Sequence, residues 1–148
     1  MLISPEQLTA QLLATAGYGF FPPLVPNAPA SRWTLFINSF PDEPTKIIAC
    51  SSNGLNRPDG RLMSGTPIYH PGVQVRVRSG DMDDAFSKIK TIFDYVTTVR
   101  RLLVTSLTVQ YRIDNLSANP PIYLGVGLDD QRPSYVFDLY VSYTKIGV

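Results

Sequence analysis

The sequence predicts an α+β domain: a largely antiparallel β-sheet with a long helix packed on one face and a short N-terminal helix. Three observations carry that expectation. Val73-Gln74-Val75-Arg76-Val77-Arg78 and the stretch from Leu107 to Asp114 alternate apolar and polar residues, the period of a strand covered on one side. Between them Met82, Phe86, Ile89, Phe93 and Val96 recur at intervals of three or four, the period of a helix with one apolar stripe. Charged residues are only 17% of the chain while 13 prolines and 10 glycines supply turns, which suits a sheet-rich domain with much partner-covered surface.

The elements follow in chain order. Ser4-Pro5-Glu6-Gln7 is a helix start: Ser4 caps, Pro5 suits the first helical position and Gln7 completes a capping box, with Ile3 and Leu8 as a hydrophobic staple. Leu8, Leu12 and Ala16 form the stripe, Leu13 lies beside it, and Gly17 stops the helix. Pro22, Pro23, Pro26 and Pro29 forbid a regular element from Phe20 to Pro29, so this segment reads as an extended arm anchored by Phe20 and Phe21. Trp33–Phe40 and Lys46–Ser51, split by Pro41-Asp42-Glu43-Pro44, read as a hairpin. From Ser52 to Gly72 four turn signals occur without a sustained period, which predicts a long loop and, because such loops are uncommon in compact domains, a contact element.

Alternation in the Val73–Arg78 strand buries the valines and turns Gln74, Arg76 and Arg78 to the opposite face. Asp81, Asp83 and Asp84 mark the start of the long helix and Arg100 with Arg101 complements its far end. Strands are then expected at Leu107–Asp114, Ile122–Leu128 and Tyr135–Ile146, the last with Tyr135, Phe137, Leu139, Val141 and Tyr143 on one face. Asp129, Asp130 and Arg132 lie in the turn before it. At 148 residues the chain reads as one domain, residues 1–148.

The chemistry is sparse. Cys50 is the single cysteine, which excludes an internal disulfide and points to folding in a reducing cytoplasm. It closes an Ile47-Ile48-Ala49 strand and reads as a small buried hydrophobe. His70, the single histidine, sits between Tyr69 and Pro71 and reads as a turn residue, so no catalytic residue is assigned. Helix capping accounts for Asp81, Asp83 and Asp84, and Asp129-Asp130 carries too few oxygen ligands for a calcium loop, so neither a metal nor a cofactor is expected. Gly125-Val126-Gly127 lies in a strand pattern with no helix after it to receive a phosphate. The absence of a signal peptide or an apolar run near the ~18 residues of a membrane span predicts a soluble protein without a membrane partner.

Thirteen Lys and Arg against twelve Asp and Glu give a net charge of +1, which supplies no field for holding nucleic acid. Arg76 and Arg78 then have three readings: a subunit interface, a solvated face, or a phosphate contact. Arg and Tyr enrichment at interfaces favours the first in a chain with eight tyrosines. On that reading, replacing both arginines with alanine leaves stability within about 1 kcal/mol, as for surface residues. The loop adds Arg57, Asp59 and Arg61 as polar contacts, and Leu62, Met63 and Tyr69 as apolar ones; shortening it between Gly54 and Gly65 is expected to spare the fold.

Pro71-Gly72-Val73-Gln74-Val75-Arg76-Val77-Arg78, followed by a helix carrying Ala85, Ile89, Ile92 and Tyr95, resembles the central segment of bacteriophage minor capsid and tail-terminator proteins. Tyr111-Arg112-Ile113, Pro121-Ile122-Tyr123-Leu124-Gly125, Asp129, Arg132 and a final aromatic-rich strand follow in the order of that family, so the resemblance spans residues 71–146 and extends loosely to the N-terminal helix. The Tyr135–Tyr143 strand departs from it by being rich in tyrosine. The resemblance implies a non-enzymatic virion protein of the tail or neck, made in the host cytoplasm. It would form a ring, typically a hexamer of itself, on the tail-tube protein, stop tube growth and meet the head-tail connector. Genome DNA would pass the lumen without being bound. A ring needs one surface to meet a different surface of its neighbour, and a sheet with two unlike faces offers both. Two other classes remain open: a small α+β ligand- or nucleic-acid-binding module with the long loop as lid, and a hydrolase using Cys50 or His70.

Overall fold

A computed structural model describes residues 3–20, 33–41, 45–61, 67–106, 109–126 and 132–147; side chains of 53–70, 106 and 147 are not among the described features. The helices are α1 (Pro5–Thr15) and α2 (Met82–Val96). The strands are β1 (Thr34–Ile37), β2 (Ile47–Arg61), β3 (Pro67–Arg78), β4 (Arg100–Ser106), β5 (Val109–Ala118), β6 (Ile122–Val126) and β7 (Pro133–Gly147). They form one sheet in the order β1-β2-β3-β7-β5-β4, with β6 paired to β7. The protein is therefore mostly β-sheet with two helices, as far as the α+β reading goes.

The N-terminal helix starts where expected. Ser4 Oγ accepts a hydrogen bond from the Gln7 amide at 3.3 Å, Pro5 opens the helix, and Gly17 at φ +86° follows its end. Leu8, Leu12 and Leu13 are buried, whereas Ala16, past the last turn, is exposed. The end of the chain is held by two buried tyrosines: the Ile3 amide donates to Tyr111 Oη and Tyr143 Oη donates to the Ile3 carbonyl, both at 3.0 Å.

The long helix is shorter than expected, 15 residues ending at Val96. Its inward stripe is Ala85, Ile89, Ile92 and Val96, while Met82 and Phe86 are about half exposed. Arg100 and Arg101 lie on β4, a strand that the sequence reading did not anticipate. Thr97 to Val99 carry no strong signal, and β-branched or apolar residues up to Val104 suit a strand as well as a helix end. The Arg100 guanidinium still caps the chain leaving the helix, donating to the Thr97 carbonyl at 3.1 Å and the Val99 carbonyl at 2.7 Å. Asp81 holds the N-cap position without a side-chain capping bond.

Two further expectations are corrected. The Trp33–Ser51 region is not a hairpin: β1 and β2 are parallel, in register from Thr34↔Ile47 to Ile37↔Cys50. Asn38, at φ +54°, turns the chain out of β1; its side chain accepts from the Ser52 amide and donates to Glu6 on α1. The return from Asn38 to Lys46 has only to retrace a four-residue strand, roughly 13 Å, which is within the reach of the intervening residues. The segment from Ser52 to Gly72 is not a long loop either. β2 runs on to Arg61 and β3 begins at Pro67, the strands pairing antiparallel as far as Arg61↔Pro67. Asn53-Gly54 and Pro58-Asp59-Gly60 are absorbed by register shifts between Ser52 and Asn56 and between Asp59 and Arg61 rather than by a break in the ladder, and Ser64-Gly65 lies outside the described residues. Shortening between Gly54 and Gly65 would thus remove strand, and a lid built from this segment has no support.

One core lies between the helices and one sheet face. Leu8, Leu12 and Leu13 of α1 and Ile89, Ile92 and Val96 of α2 join Val73, Val75, Val77, Phe137, Leu139, Val141 and Tyr143. These residues realise the alternation read in β3 and β7. A bulge between Ile113 and Asn115 lets β5 keep Tyr111, Ile113 and Leu116 all inward.

Candidate assembly surface

The face of the sheet opposite the helices carries Gln74, Arg76 and Arg78, as alternation requires. It is not an open arginine surface. The register sets Arg78 beside Ile47, and Arg76 between Ala49 and Val136, and all three apolar neighbours are buried. Phe40, in the return from β1, lies over both guanidiniums, its centroid 3.8 Å from Arg76 Cζ and 4.8 Å from Arg78 Cζ. Arg78 Nη2 donates to the Pro41 carbonyl at 2.7 Å, and Arg78 is only 4% exposed. Arg78 is thus packed into the fold rather than displayed to solvent, and its truncation is expected to cost stability. Arg76 is half-buried and Gln74 exposed.

Most of the remaining expected contact residues lie away from that face, at the outer end of the β2–β3 pair. Arg57, Asp59 and Arg61 lie on the outer reach of β2, with Arg57 opposite His70 and Asp59 opposite Ile68; Tyr69 pairs with Pro58 and Tyr143. Arg132 is half-buried just before β7. Leu62, Met63, Asp129 and Asp130 lie outside the described residues. Among the described residues no three His, Cys, Asp or Glu side chains converge as a metal site. Cys50 is fully buried, and burial, with Glu6 next in weight, pushes its thiol up to about 12. It pairs with Val75, five positions along β3 from His70, roughly 16 Å at strand spacing, so the two do not form a dyad.

The strongest uncovered surface was not singled out from sequence. Of the β7 residues that pair with β6, Ser134 to Val136 also pair on their other side with β3, so β6 continues the line of β5 along one flank of β7. The Asn119 amide donates to the Asp138 carbonyl at 3.0 Å and carries the ladder on, and Pro120-Pro121, which lack amide donors, divide the line into two strands. β4 covers only β5. Among the described residues nothing pairs with the outer edge of β6, and Ile122, Tyr123, Leu124 and Val126 are all exposed, at 60, 43, 50 and 52%. β6 holds no charge and no proline, so it lacks the usual protections of an edge strand, although Gly125 at φ +90° bulges it. Leu102 and Leu103 on β4 add exposed apolar surface to the same half of the sheet. The available signal was the unbroken Ile122-Tyr123-Leu124 run, which has no polar alternate to fill a solvent face.

A second feature lies at the helix side. Tyr18, Trp33, Lys46, Asp84, Ser87, Lys88 and Thr91 line a cleft of about 320 Å³. Lys46 Nζ and Lys88 Nζ stand 5.7 and 5.3 Å from the Trp33 ring centroid. Burial, then the charge of Lys46, lowers the pKa of Lys88.

The described residues thus present an uncovered apolar edge at β6 and a lysine-lined cleft beside α2. No curated protein matches the chain. Residues 12–145 do match a protein family described as bacteriophage tail terminator protein, a span that takes in both corrected regions, the β6 edge and nearly all of the core. The chain belongs to the bacteriophage tail terminator family.

Proposed function

We propose that this protein is a structural component of the virion that closes the head-proximal end of the tail as a ring of identical subunits, ends tail-tube growth and offers the surface on which the head connector docks. The family match over residues 12–145 carries the reading. The exposed, charge-free β6 strand supports it, because an apolar edge of this kind is kept soluble by being covered in an assembly. β6 supplies one such surface, and a head-to-tail ring requires that it meet an unlike surface of the neighbouring subunit. The ring is expected to be a hexamer, lying between the tail-tube protein and the head-tail connector. The net charge of +1 fits a lumen through which DNA passes without being held. No enzymatic role is proposed, since the buried Cys50 is separated from His70 by the register of β3.

Complementation tests this. A phage lacking the protein should make tails of uncontrolled length and unjoined heads, and wild-type protein should restore both. Electron microscopy of particles should then show it at the junction of head and tail. Density elsewhere in the virion, or tails of normal length without the protein, would overturn the reading.

A further inference from the structure

We propose that the cleft between Trp33 and α2 is a carboxylate-binding site, which takes one aspartate or glutamate side chain of a protein partner between Lys46 and Lys88. The cleft draws on four parts of the chain: Tyr18 after α1, Trp33 before β1, Lys46 before β2, and Asp84, Ser87, Lys88 and Thr91 on one side of α2. The spacing of these helical residues, by three and four, sets them on a single face. That face is turned away from the Ala85, Ile89, Ile92 and Val96 stripe that fills the core.

The argument rests on where the cations stand. Lys88 is half-buried, its ammonium 5.3 Å from the Trp33 centroid and 5.6 Å from the Tyr18 centroid. Tyr18 is in turn backed by Tyr95, with ring centroids 5.0 Å apart. Among the described residues no carboxylate reaches Lys88 as an ion pair. Lys46 has Asp84 at 3.6 Å, too long for a hydrogen bond. Two ammonium groups thus stand over one indole with one carboxylate loosely engaged by Lys46, and repulsion within the pair is relieved by a further anion that accepts from both.

Charge and size select the kind of anion. Two lysines and Asp84 leave the cleft one positive charge, which a single carboxylate neutralises. Asp81, Asp83 and Asp84 are exposed at the adjoining start of α2, so a polyanion such as a nucleic acid strand would meet three carboxylates as it approached the two lysines. A volume of about 320 Å³ is at the low end of ligand pockets, enough for a side chain and the apolar residue beside it rather than a nucleotide cofactor. Trp33 and Tyr18 provide the apolar wall. The site does not depend on how the protein is arranged in the tail.

Trp33 is the only tryptophan, so its indole signal in NMR and its fluorescence report on this cleft alone. The probe is the blocked tripeptide Ac-Leu-Glu-Leu-NH2, titrated at low salt against the same peptide with Gln in place of Glu. Saturable shifts of the Trp33 indole are expected with the Glu peptide in the millimolar range, with at least tenfold weaker response to the Gln peptide. Lys46→Met with Lys88→Met should abolish them in a protein whose circular dichroism is unchanged, and Lys88→Arg should retain them. Equal response to both peptides, no saturable shift, or a response that survives the double Met variant would overturn the proposal. Tighter binding of a short single-stranded oligonucleotide than of the Glu peptide would also overturn it, in favour of a nucleic-acid site.

Discussion

Arg78 shows how a neighbour can change the meaning of a residue. Strand alternation places it opposite the buried valines, and that direction holds, yet Phe40 and the Pro41 carbonyl close over it and leave it 4% exposed. Truncation removes a charge-assisted hydrogen bond and the stacking of the guanidinium on Phe40. Arg78→Ala should therefore cost about 2 kcal/mol in urea unfolding, whereas Gln74→Ala, at an exposed position, should fall within about 0.5 kcal/mol. Cys50 is a second case. With its thiol pushed up to about 12 from 9.0, the folded state holds the proton more tightly than the unfolded chain does. Its contribution is thus fully present below pH 9.0 and is lost as pH rises toward about 12. Thiol labelling by a disulfide reagent at pH 8 should be undetectable in native protein and rapid after denaturation; prompt labelling of folded protein would show Cys50 to be accessible.

At the level of elements, close approach and edge exposure decide most. Gly19 lets the chain leaving α1 pass directly over β1 and β2, since a Cβ there would lie 2.8 Å from Leu35 Cγ and 3.2 Å from Ile48 Cδ1. Its neighbour Phe20 bonds with β1, donating to the Trp33 carbonyl at 2.9 Å and accepting from the Leu35 amide at 2.7 Å. Leu35 and Ile48 are fully buried and have little room to yield, so Gly19→Ala should destabilise by about 1 to 3 kcal/mol, measured by thermal or urea unfolding. β6 behaves oppositely. Leu124→Lys adds a charge to an exposed edge position and should leave the melting temperature nearly unchanged while preventing tail completion, scored by tail length in complementation. A variant that completes tails normally would remove β6 from the assembly surface.

For the whole molecule, the sheet depends on both helices. α1 contacts β1, β2, β3 and β4, while α2 contacts β3, β5 and β7, so together they cover the apolar face almost from edge to edge. The Ile3 backbone is bonded to Tyr111 and Tyr143, joining the beginning of the chain to β5 and to the end of β7. Deleting residues 3–16 would remove Leu8, Leu12 and Leu13 from the core, uncover part of the sheet face that α1 contacts, and leave two buried tyrosine hydroxyls without that partner. The truncated protein should be insoluble or should lose its cooperative unfolding transition; a soluble variant with an unchanged transition would mean that α1 is a peripheral attachment.

The sequence by itself determined the elements whose periodicity is strong and local. The Ser4-Pro5 helix start, the Val73–Arg78 alternation, the start of α2 and the aromatic face of β7 were each legible because a cap or a repeat of two or of three to four acts within a few residues. The resemblance across residues 71–146 rested on the order of such segments, and the family match confirms it. Only the tertiary structure decided what depends on distant partners. That β1 lies parallel to β2 is set by which strand it pairs with, and Asn38 turns the chain out of β1 while bonding to Glu6 on α1. That Asn53-Gly54 and Pro58-Asp59-Gly60 lie within strand follows from the bulged ladder with β3, which overrides turn preference by supplying backbone partners. The Trp33 cleft joins four separated segments, and no spacing along the chain could announce it. β6 was read as a strand, but its uncovered edge became visible only once β4 was seen to end on β5, because whether an apolar strand is core or surface is a property of its neighbours.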